Sequence, residues 1–324
     1  MDRTDRTTTM TEAQYADCPL TLFDGTYQGV GIVLGWLIEG LLDLEKVDHA
    51  LSGLVTKWPM LSGRLQGTGV CLLFRSADLL LILMSQQKKR GLKIRVLLGP
   101  LPATYAPYSL TSRNSTKPIT DYVQLPLPMV SDALPVTLFM DHKAPQSPSD
   151  WTDKDIPLMY WHLTYFKAKG LEYTCLGLTF PHGVFDGMGI AAVIHAFEAE
   201  SLGRSWPIPP LLKPGLNDNE LQTFIDKAEM KMKQAGTPLP LDYKATSIVG
   251  LRFLLKFIAW QIWQQRWHKA QRGVALMPPQ AYEKLLGDVR EALAQEGKTD
   301  VRLSAGNVII AWIFKVCLRF LFYR

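Results

Sequence analysis

The feature that most constrains the fold is a stretch that changes from strand-like to helix-like across a glycine-rich turn. Two runs rich in β-branched and aromatic residues, 163–166 and 173–180, flank Gly170, a pattern typical of a β-hairpin. The second run leads directly into residues 181–189, which contain three glycines. Apolar residues then recur at helical spacing over 190–197. The sequence therefore predicts two antiparallel strands, a turn and a helix, in that order.

Other parts of the chain carry both strand and helix patterns without strict alternation. Asp43 is suited to cap a helix that Trp58-Pro59 ends, because apolar residues between them follow the i, i+3, i+4, i+7 rule. Further helices are expected at 219–234, 247–271, 279–295 and from Ser304 or Asn307 onward, and strands at 20–23, 27–36, 70–83, 136–140, 274–277 and 301–303. The mixture predicts an α/β fold of the α+β type, a mixed sheet with flanking helices.

Composition excludes several classes of protein. With 324 residues, 47% hydrophobic and 20% charged, the chain has ample material for a packed core and is not disordered. The formal net charge of +5 is too small to indicate a nucleic-acid partner. The four cysteines form no CxxC pair, which excludes a zinc ribbon and a dense disulfide framework.

The apolar segments do not predict export or membrane insertion. The first ten residues contain no hydrophobic region of the kind that a secretory signal needs. Charged residues interrupt the two most apolar windows, 248–263 and 308–323, so neither supplies the ~18 uncharged residues of a spanning helix. We therefore expect a cytoplasmic protein without a membrane span.

The candidate catalytic motif is His182-x-x-x-Asp186-Gly187, at the end of the second hairpin strand. A metal site is disfavoured, because the glycines oppose a helix that would align the two ligands and no third ligand has suitable spacing. A dinucleotide fingerprint is disfavoured too, since no acidic residue follows about twenty positions later. A histidine at a strand end can instead act as a general base. The structural alternative is a buried histidine satisfied by nearby backbone.

Several segments around this motif resemble one family when taken in order. The sequence resembles the BAHD-type acyltransferases, and more specifically the fungal branch that includes trichothecene acetyltransferase-like proteins. The segments that carry the resemblance are Leu22-Phe23-Asp24, Trp58-Pro59 with Ser62-Gly63-Arg64-Leu65, Tyr165-Phe166-Lys167, His182 through Gly187, Arg272 through Leu276, and Leu303 through Trp312. The short motif H-x-x-x-D-G also marks condensation domains of peptide synthetases.

The resemblance implies a chloramphenicol-acetyltransferase-like domain, the first of the usual two, in residues 1–215. Residues 216–324 would form a helical crossover and the start of a second domain. The implied activity moves an acyl group, expected to be acetyl, from acyl-CoA to a hydroxyl or amine of a secondary metabolite. His182 would be the general base, Asp186 a structural residue paired with Arg272, and Gly187 the residue that lets the turn close.

The same resemblance implies which partners the protein has. Acyl-CoA would be a co-substrate and the acceptor a small molecule, with no permanently bound cofactor, no metal and no nucleic acid, in a protein expected to be monomeric. We assign no cofactor-binding residue. His162 and His195 are expected to be packing or surface residues, and Cys175 a small core residue.

Two departures from the family pattern keep alternatives open. Pro181 precedes His182, and no D-F-G-W-G, a motif of the family's second half, occurs in the chain. We therefore expect a chain that lacks the C-terminal half of such an enzyme, and a non-catalytic remnant or binding protein of the same fold is one alternative. The other is a relative of condensation domains, against which the single histidine at 182 counts.

Overall fold

The computed structural model describes most of the chain in several segments. These are residues 14–20, 31–67, 92–145, 148–152, 154–168, 170–235, 259, 263, 266, 273–298, 301 and 303–322. They fall into two compact units. The larger is drawn from Met1–Ser115 and Val136–Arg272, and the smaller from Thr116–Pro135 and Gly273–Arg324.

The described strands and helices alternate irregularly along the chain. The strands are β1 Tyr15–Pro19, β2 Gly31–Glu39, β3 Arg64–Gln66, β4 Lys93–Leu97, β5 Ser109–Asn114, β6 Leu134–Pro135, β7 Tyr160–Ala168, β8 Leu171–Pro181, β9 Gly215–Leu216 and β10 Gly273–Val274. The helices are α1 Leu44–Lys57, α2 Pro148–Thr152, α3 Gly187–Ser201, α4 Glu220–Gln234, α5 Pro279–Gln295 and α6 Ala305–Phe322.

The main sheet of the larger unit has the strand order β2-β8-β7-β5. Its centre is the predicted hairpin of β7 and β8, which turns at Gly170 with a φ of 77°, a conformation that favours glycine. β2 pairs antiparallel with β8, and β5 runs parallel to β7. β8 is buried from Thr174 to Pro181, which explains why this stretch carries no charged residue and does not alternate between apolar and polar residues.

Both faces of this sheet are covered. On one face, α1 and α3 contribute Leu51, Leu54 and Val193 to a core that also holds Trp161 and Leu178 of the strands. These side chains share a face because alternate strand residues point the same way.

On the other face, Phe139 lies directly against two glycines. A β-carbon at Gly35 would lie 2.5 Å from the Phe139 ring, and one at Gly177 would overlap the Phe139 backbone carbonyl. Gly35 and Gly177 are register partners in β2 and β8, so a side chain on either would push Phe139 off the sheet.

A second sheet of the larger unit has the order β3-β4-β1-β9 and is held by buried and partly buried charges. Arg64, in the sequence Ser62-Gly63-Arg64-Leu65, is 6% exposed. Its guanidinium pairs with Asp155 at 2.8 Å, donates to the Ala106 carbonyl at 2.9 Å and lies 4.0 Å from the centre of the Tyr105 ring. This arginine therefore joins separate chain segments, which is a structural role.

The smaller unit is built around a short antiparallel pair, β6 and β10. The Leu276 amide donates to Ser131 Oγ at 2.8 Å, and the Ser131 amide donates to the Leu276 carbonyl at 2.9 Å. α5 and α6 belong to the same unit.

The mixed sheets with flanking helices confirm the predicted fold class. The helices at 219–234 and 279–295 and the C-terminal helix are confirmed as α4, α5 and α6. The strand predicted at 136–140 is wrong, because Val136–Leu138 forms a 3-10 turn that brings Phe139 onto the sheet glycines. Val301 and Leu303 do not lie in a strand either.

Some predictions fall on residues outside the described segments. These are most of the strand expected at 20–23, with the Leu22-Phe23-Asp24 segment of the resemblance, the strand at 70–83 and most of the helix at 247–271. The division into residues 1–215 and 216–324 stays a prediction. Among the described residues, no helix is long and apolar enough to cross a bilayer, and no group of three or more His, Cys, Asp or Glu side chains is arranged to hold a metal ion.

Candidate functional site

His182 is the first residue after β8, in the turn that connects this strand to α3. The turn is closed by two hydrogen bonds to the Pro181 carbonyl, from the amides of Val184 at 3.0 Å and Phe185 at 3.4 Å. The His182 residue is half-buried, whereas Pro181 and Phe185 on either side of it are buried. The strand end thus presents an imidazole at the margin of the core, as the sequence predicted.

The His182 ring is oriented by the backbone of its own turn. Its Nδ1 lies 3.1 Å from the carbonyl oxygen of Phe185. A carbonyl oxygen only accepts hydrogen bonds, so Nδ1 carries the proton in this contact. In the neutral ring the basic lone pair then lies on Nε2. The contact therefore selects the tautomer in which Nε2 can accept a proton.

Asp186 is exposed and caps the N-terminus of α3. Its backbone is extended, with φ −81° and ψ −176°, and its Oδ1 accepts a hydrogen bond from the Gly189 amide at 2.6 Å. The Asp186 carbonyl accepts from the Ile190 amide at 3.0 Å, which begins the helical ladder. This is the geometry of an N-cap residue. Arg272 lies outside the described residues, so its pairing with Asp186 stays a prediction.

The two glycines of this turn differ in how closely they are packed. A β-carbon at Gly187 would meet no atom of the described residues within 4 Å. One at Gly189 would lie 3.2 Å from Asp186 Oδ1, against the atom that accepts the cap hydrogen bond. From the sequence, Gly189 was expected only as one of the glycines that oppose a helix through the motif, and its amide was not expected to donate to Asp186. The signal was the three-residue spacing between a capping aspartate and the amide that it accepts from.

Phe185 is a residue of the site whose role the motif pattern did not predict. Its side chain is 3% exposed and contacts Phe180, which is 1% exposed, in an edge-on arrangement with ring centres 5.8 Å apart. Phe180 belongs to β8 and is the register partner of Ile32 in β2. The residue that supplies the carbonyl for His182 is therefore anchored to the sheet.

The other histidines near this sheet are placed differently. His162 is 3% exposed, and its Nδ1 and Nε2 lie 2.7 Å and 3.2 Å from the hydroxyls of Thr111 and Thr164. Burial lowers the pKa of His162 to about 4. His195 is largely exposed on α3, 3.9 Å from a Glu198 carboxylate oxygen. The predicted packing and surface roles are confirmed.

Cys175 is also a core residue, as predicted. It is fully buried in β8, and burial raises the pKa of its thiol to about 12. The thiolate, which is the nucleophilic form, is therefore not populated near neutral pH.

Sequence comparison finds fungal relatives, two of which are named as an acyltransferase or acetyltransferase. No family model matches the chain. O-acyltransferase pboC of Aspergillus ustus is 27% identical over 174 residues, which cover 54% of this chain and 33% of that protein. Acetyltransferase BOT5 of Botryotinia fuckeliana is 29% identical over 185 residues, covering 56% and 31%. Transcriptional regulator calD of Penicillium decumbens is 23% identical over 177 residues, covering 54% and 33%.

Two of these matches relate the chain by sequence to fungal proteins named as acyltransferases, and the third is named as a transcriptional regulator. The chain spans about a third of the length of these curated relatives.

Structural comparison gives looser likenesses. TRI101 of F. sporotrichioides, in complex with coenzyme A and T-2, has a TM-score of 0.38 at 13% identity and covers 59% of this chain and 42% of its own. A variant of the starter condensation domain of rhizomide synthetase RzmA has a TM-score of 0.36 at 13% identity and covers 78% and 48%. The described strands and helices themselves show the mixed sheet-and-helix class.

Proposed function

We propose that the chain is an acyltransferase, or the part of one that carries the general base. It would move an acyl group, expected to be acetyl, from acyl-CoA to a hydroxyl or amine of a small secondary metabolite. The observation that carries this proposal is the hydrogen bond from His182 Nδ1 to the Phe185 carbonyl, which places the basic lone pair on Nε2. The names of two fungal relatives support the same activity.

In the proposed reaction His182 first accepts a proton from the acceptor and then donates the same proton to the leaving group. Nε2 removes the proton of the acceptor hydroxyl while its oxygen attacks the thioester carbonyl carbon, giving a tetrahedral intermediate. The intermediate collapses, the carbon–sulfur bond breaks, and the leaving thiolate accepts this proton from Nε2. The products are the ester and free coenzyme A. Acyl-CoA is consumed as a substrate in this scheme, so no resident cofactor is needed.

The remaining motif residues would have two different roles, with Asp186 holding the base in place and Gly187 leaving room beside it. Asp186 fixes the start of α3 through its hydrogen bond with the Gly189 amide, and α3 follows the His182 turn directly. The proposed partner of Asp186 is Arg272. Gly187 has room for a side chain among the described residues, so we propose that it serves the close approach of a substrate instead of the packing of the turn.

The test is release of free thiol from acetyl-CoA in the presence of a panel of small alcohols and amines. Replacing a general base typically reduces the rate about 10²- to 10⁴-fold. We expect His182→Gln to lose at least 100-fold in rate. The matched control is His195→Gln on α3, whose exposed imidazole lies 3.9 Å from a Glu198 carboxylate oxygen, and wild-type activity is expected.

Equal activity of His182→Gln and the wild type would overturn the base assignment. A wild-type chain that binds acyl-CoA in calorimetry but releases no thiol with any acceptor would point instead to a binding protein of the same fold.

A further inference from the structure

We infer that Phe185 is a positioning residue for His182, through its buried ring and its backbone carbonyl together. The ring, held edge-on against Phe180, fixes the place of the carbonyl that receives the hydrogen bond from Nδ1. This inference rests on the proposed function, in which Nε2 must be the unprotonated nitrogen. In addition, the Phe185 side chain controls the tautomer.

The backbone of the turn does not fix this carbonyl tightly by itself. The Phe185 amide lies 3.4 Å from the Pro181 carbonyl oxygen, at the long end of the hydrogen-bond range. The better bond of the turn, at 3.0 Å, belongs to Val184, one residue earlier. An additional restraint on Phe185 is therefore needed to keep its carbonyl oxygen 3.1 Å from the imidazole.

The ring of Phe185 provides that restraint. It is 3% exposed, and its plane is turned 85° from that of Phe180, an arrangement in which the positive ring edge meets the negative face. Phe180 lies in β8, where it is the register partner of Ile32 in β2, and the preceding residue Thr179 pairs with Tyr160 of β7. The Phe185 ring therefore fixes the position of the Phe185 carbonyl relative to the sheet.

Loss of the restraint affects chemistry more than substrate binding. A neutral imidazole without a fixed acceptor at Nδ1 populates both tautomers, and the tautomer with a proton on Nε2 cannot accept the substrate proton. Phe185 is buried in the unit, so its side chain offers almost no surface for substrate contact. A change at Phe185 should therefore lower kcat and leave KM for acyl-CoA nearly unchanged.

The experiment compares Phe185→Leu with Phe197→Leu in the full chain. Phe197 lies on α3 and packs on Trp161 with ring centres 4.7 Å apart, so this control removes a partly buried ring of the same size away from the turn. Nitrogen-15 NMR of the six histidines, with the His182 signals assigned by their loss in His182→Gln, reports which ring nitrogen carries the proton. Thiol release from acetyl-CoA gives kcat and KM.

We expect His182 of the wild type and of Phe197→Leu to show a proton on Nδ1 only. In Phe185→Leu we expect a mixture of both tautomers and at least a tenfold lower kcat. If Phe185→Leu does not fold, Phe180→Leu removes the same ring contact from the strand side and should produce the same mixture.

Retention of the single Nδ1-protonated form in these variants would overturn the inference. A wild-type chain without thiol release would contradict the proposed function, and the NMR comparison would still decide whether Phe185 positions the ring. Thiol release that is equal in Phe185→Leu and Phe197→Leu would overturn the positioning role and leave the proposed function standing.

Discussion

His162, inside β7, and His182, in the turn that follows β8, show two opposite uses of the same side chain. His162 is in the middle of β7, where hydroxyls of Thr111 and Thr164 contact both of its ring nitrogens. His182 follows the last residue of β8, where the Phe185 carbonyl holds one nitrogen. The first is kept neutral by burial inside the sheet, and the second stands half-buried in a turn.

The difference follows from the position of each residue in its strand. Inside a sheet the backbone groups are used by neighbouring strands, so a buried imidazole must find side-chain partners for both nitrogens. At a strand end the ladder stops, and a nearby backbone carbonyl can hold one nitrogen in a defined tautomer. A histidine is therefore more informative about function when the pattern places it at a strand end than within a strand.

The largest expected effect comes from a matched pair of glycine substitutions in these two regions. Gly177 is the register partner of His162, and a β-carbon there would overlap the Phe139 backbone carbonyl. Overpacking of this kind costs typically about 1–3 kcal/mol and occasionally more. We expect Gly177→Ala to lose about 3 kcal/mol or more in the free energy of unfolding, measured in urea.

The control is Gly187→Ala, at the first position of α3 after the His182 turn. A β-carbon there meets no described atom within 4 Å, and alanine is favoured over glycine in a helix by up to about 1 kcal/mol. Unchanged or slightly increased stability is expected. Equal stability of the two variants would contradict the prediction that a side chain is excluded at Gly177 and tolerated at Gly187.

The second largest expected effect is a pH dependence of the free energy of unfolding that arises from His162. The folded protein lowers the pKa of this histidine to about 4, chiefly by burial and to a lesser degree through Arg113. Because the unfolded chain binds the proton at a higher pH, the stability is fully present above pH ~6.5 and falls as the pH drops toward 4. The difference amounts to about 3 kcal/mol.

His162→Gln should remove this dependence, since glutamine can bond to both threonines without titrating. Urea unfolding of the wild type and of His162→Gln at pH 7, 5.5 and 4.5 separates this histidine from the other titrating groups. Parallel loss of stability in both proteins would show that the buried imidazole is not responsible.

The His182 region could be predicted from sequence because its interactions are local. The strand, the turn, the cap and the helix all lie within residues 171–201, and the turn's hydrogen bonds join residues at most four apart. Periodicity and glycine spacing report on such short-range structure.

The His162 region could not be predicted in the same way. Thr111 bonds to His162 across 51 positions, and Phe139 covers glycines of two strands from a turn that resembled a strand in sequence. Likewise, the motif arginine Arg64 finds Asp155 across 91 positions. Such contacts depend on sheet order and register, which no local pattern encodes.

The smallest expected effect concerns the cap that holds the turn of His182. Asp186→Ala removes the hydrogen bond that Oδ1 accepts from the Gly189 amide, and loss of an N-cap costs typically about 1 kcal/mol. Asp43 caps α1 in the same manner, accepting from the Glu45 amide at 2.9 Å. We expect Asp43→Ala and Asp186→Ala to lose similar stability in thermal unfolding, and only Asp186→Ala to lose thiol-release activity as well.

Asp186→Asn separates the cap from the predicted pairing with Arg272. An asparagine oxygen can still accept from the Gly189 amide, because asparagine caps helices about as well as aspartate, but it carries no charge for an arginine. If the cap alone holds the turn, Asp186→Asn should keep both stability and activity. Activity that falls in Asp186→Asn while stability is retained would instead require a charged partner, and Arg272→Gln should then reproduce the loss. Activity that survives in Asp186→Ala, Asp186→Asn and Arg272→Gln would mean that the turn holds His182 without help from Asp186.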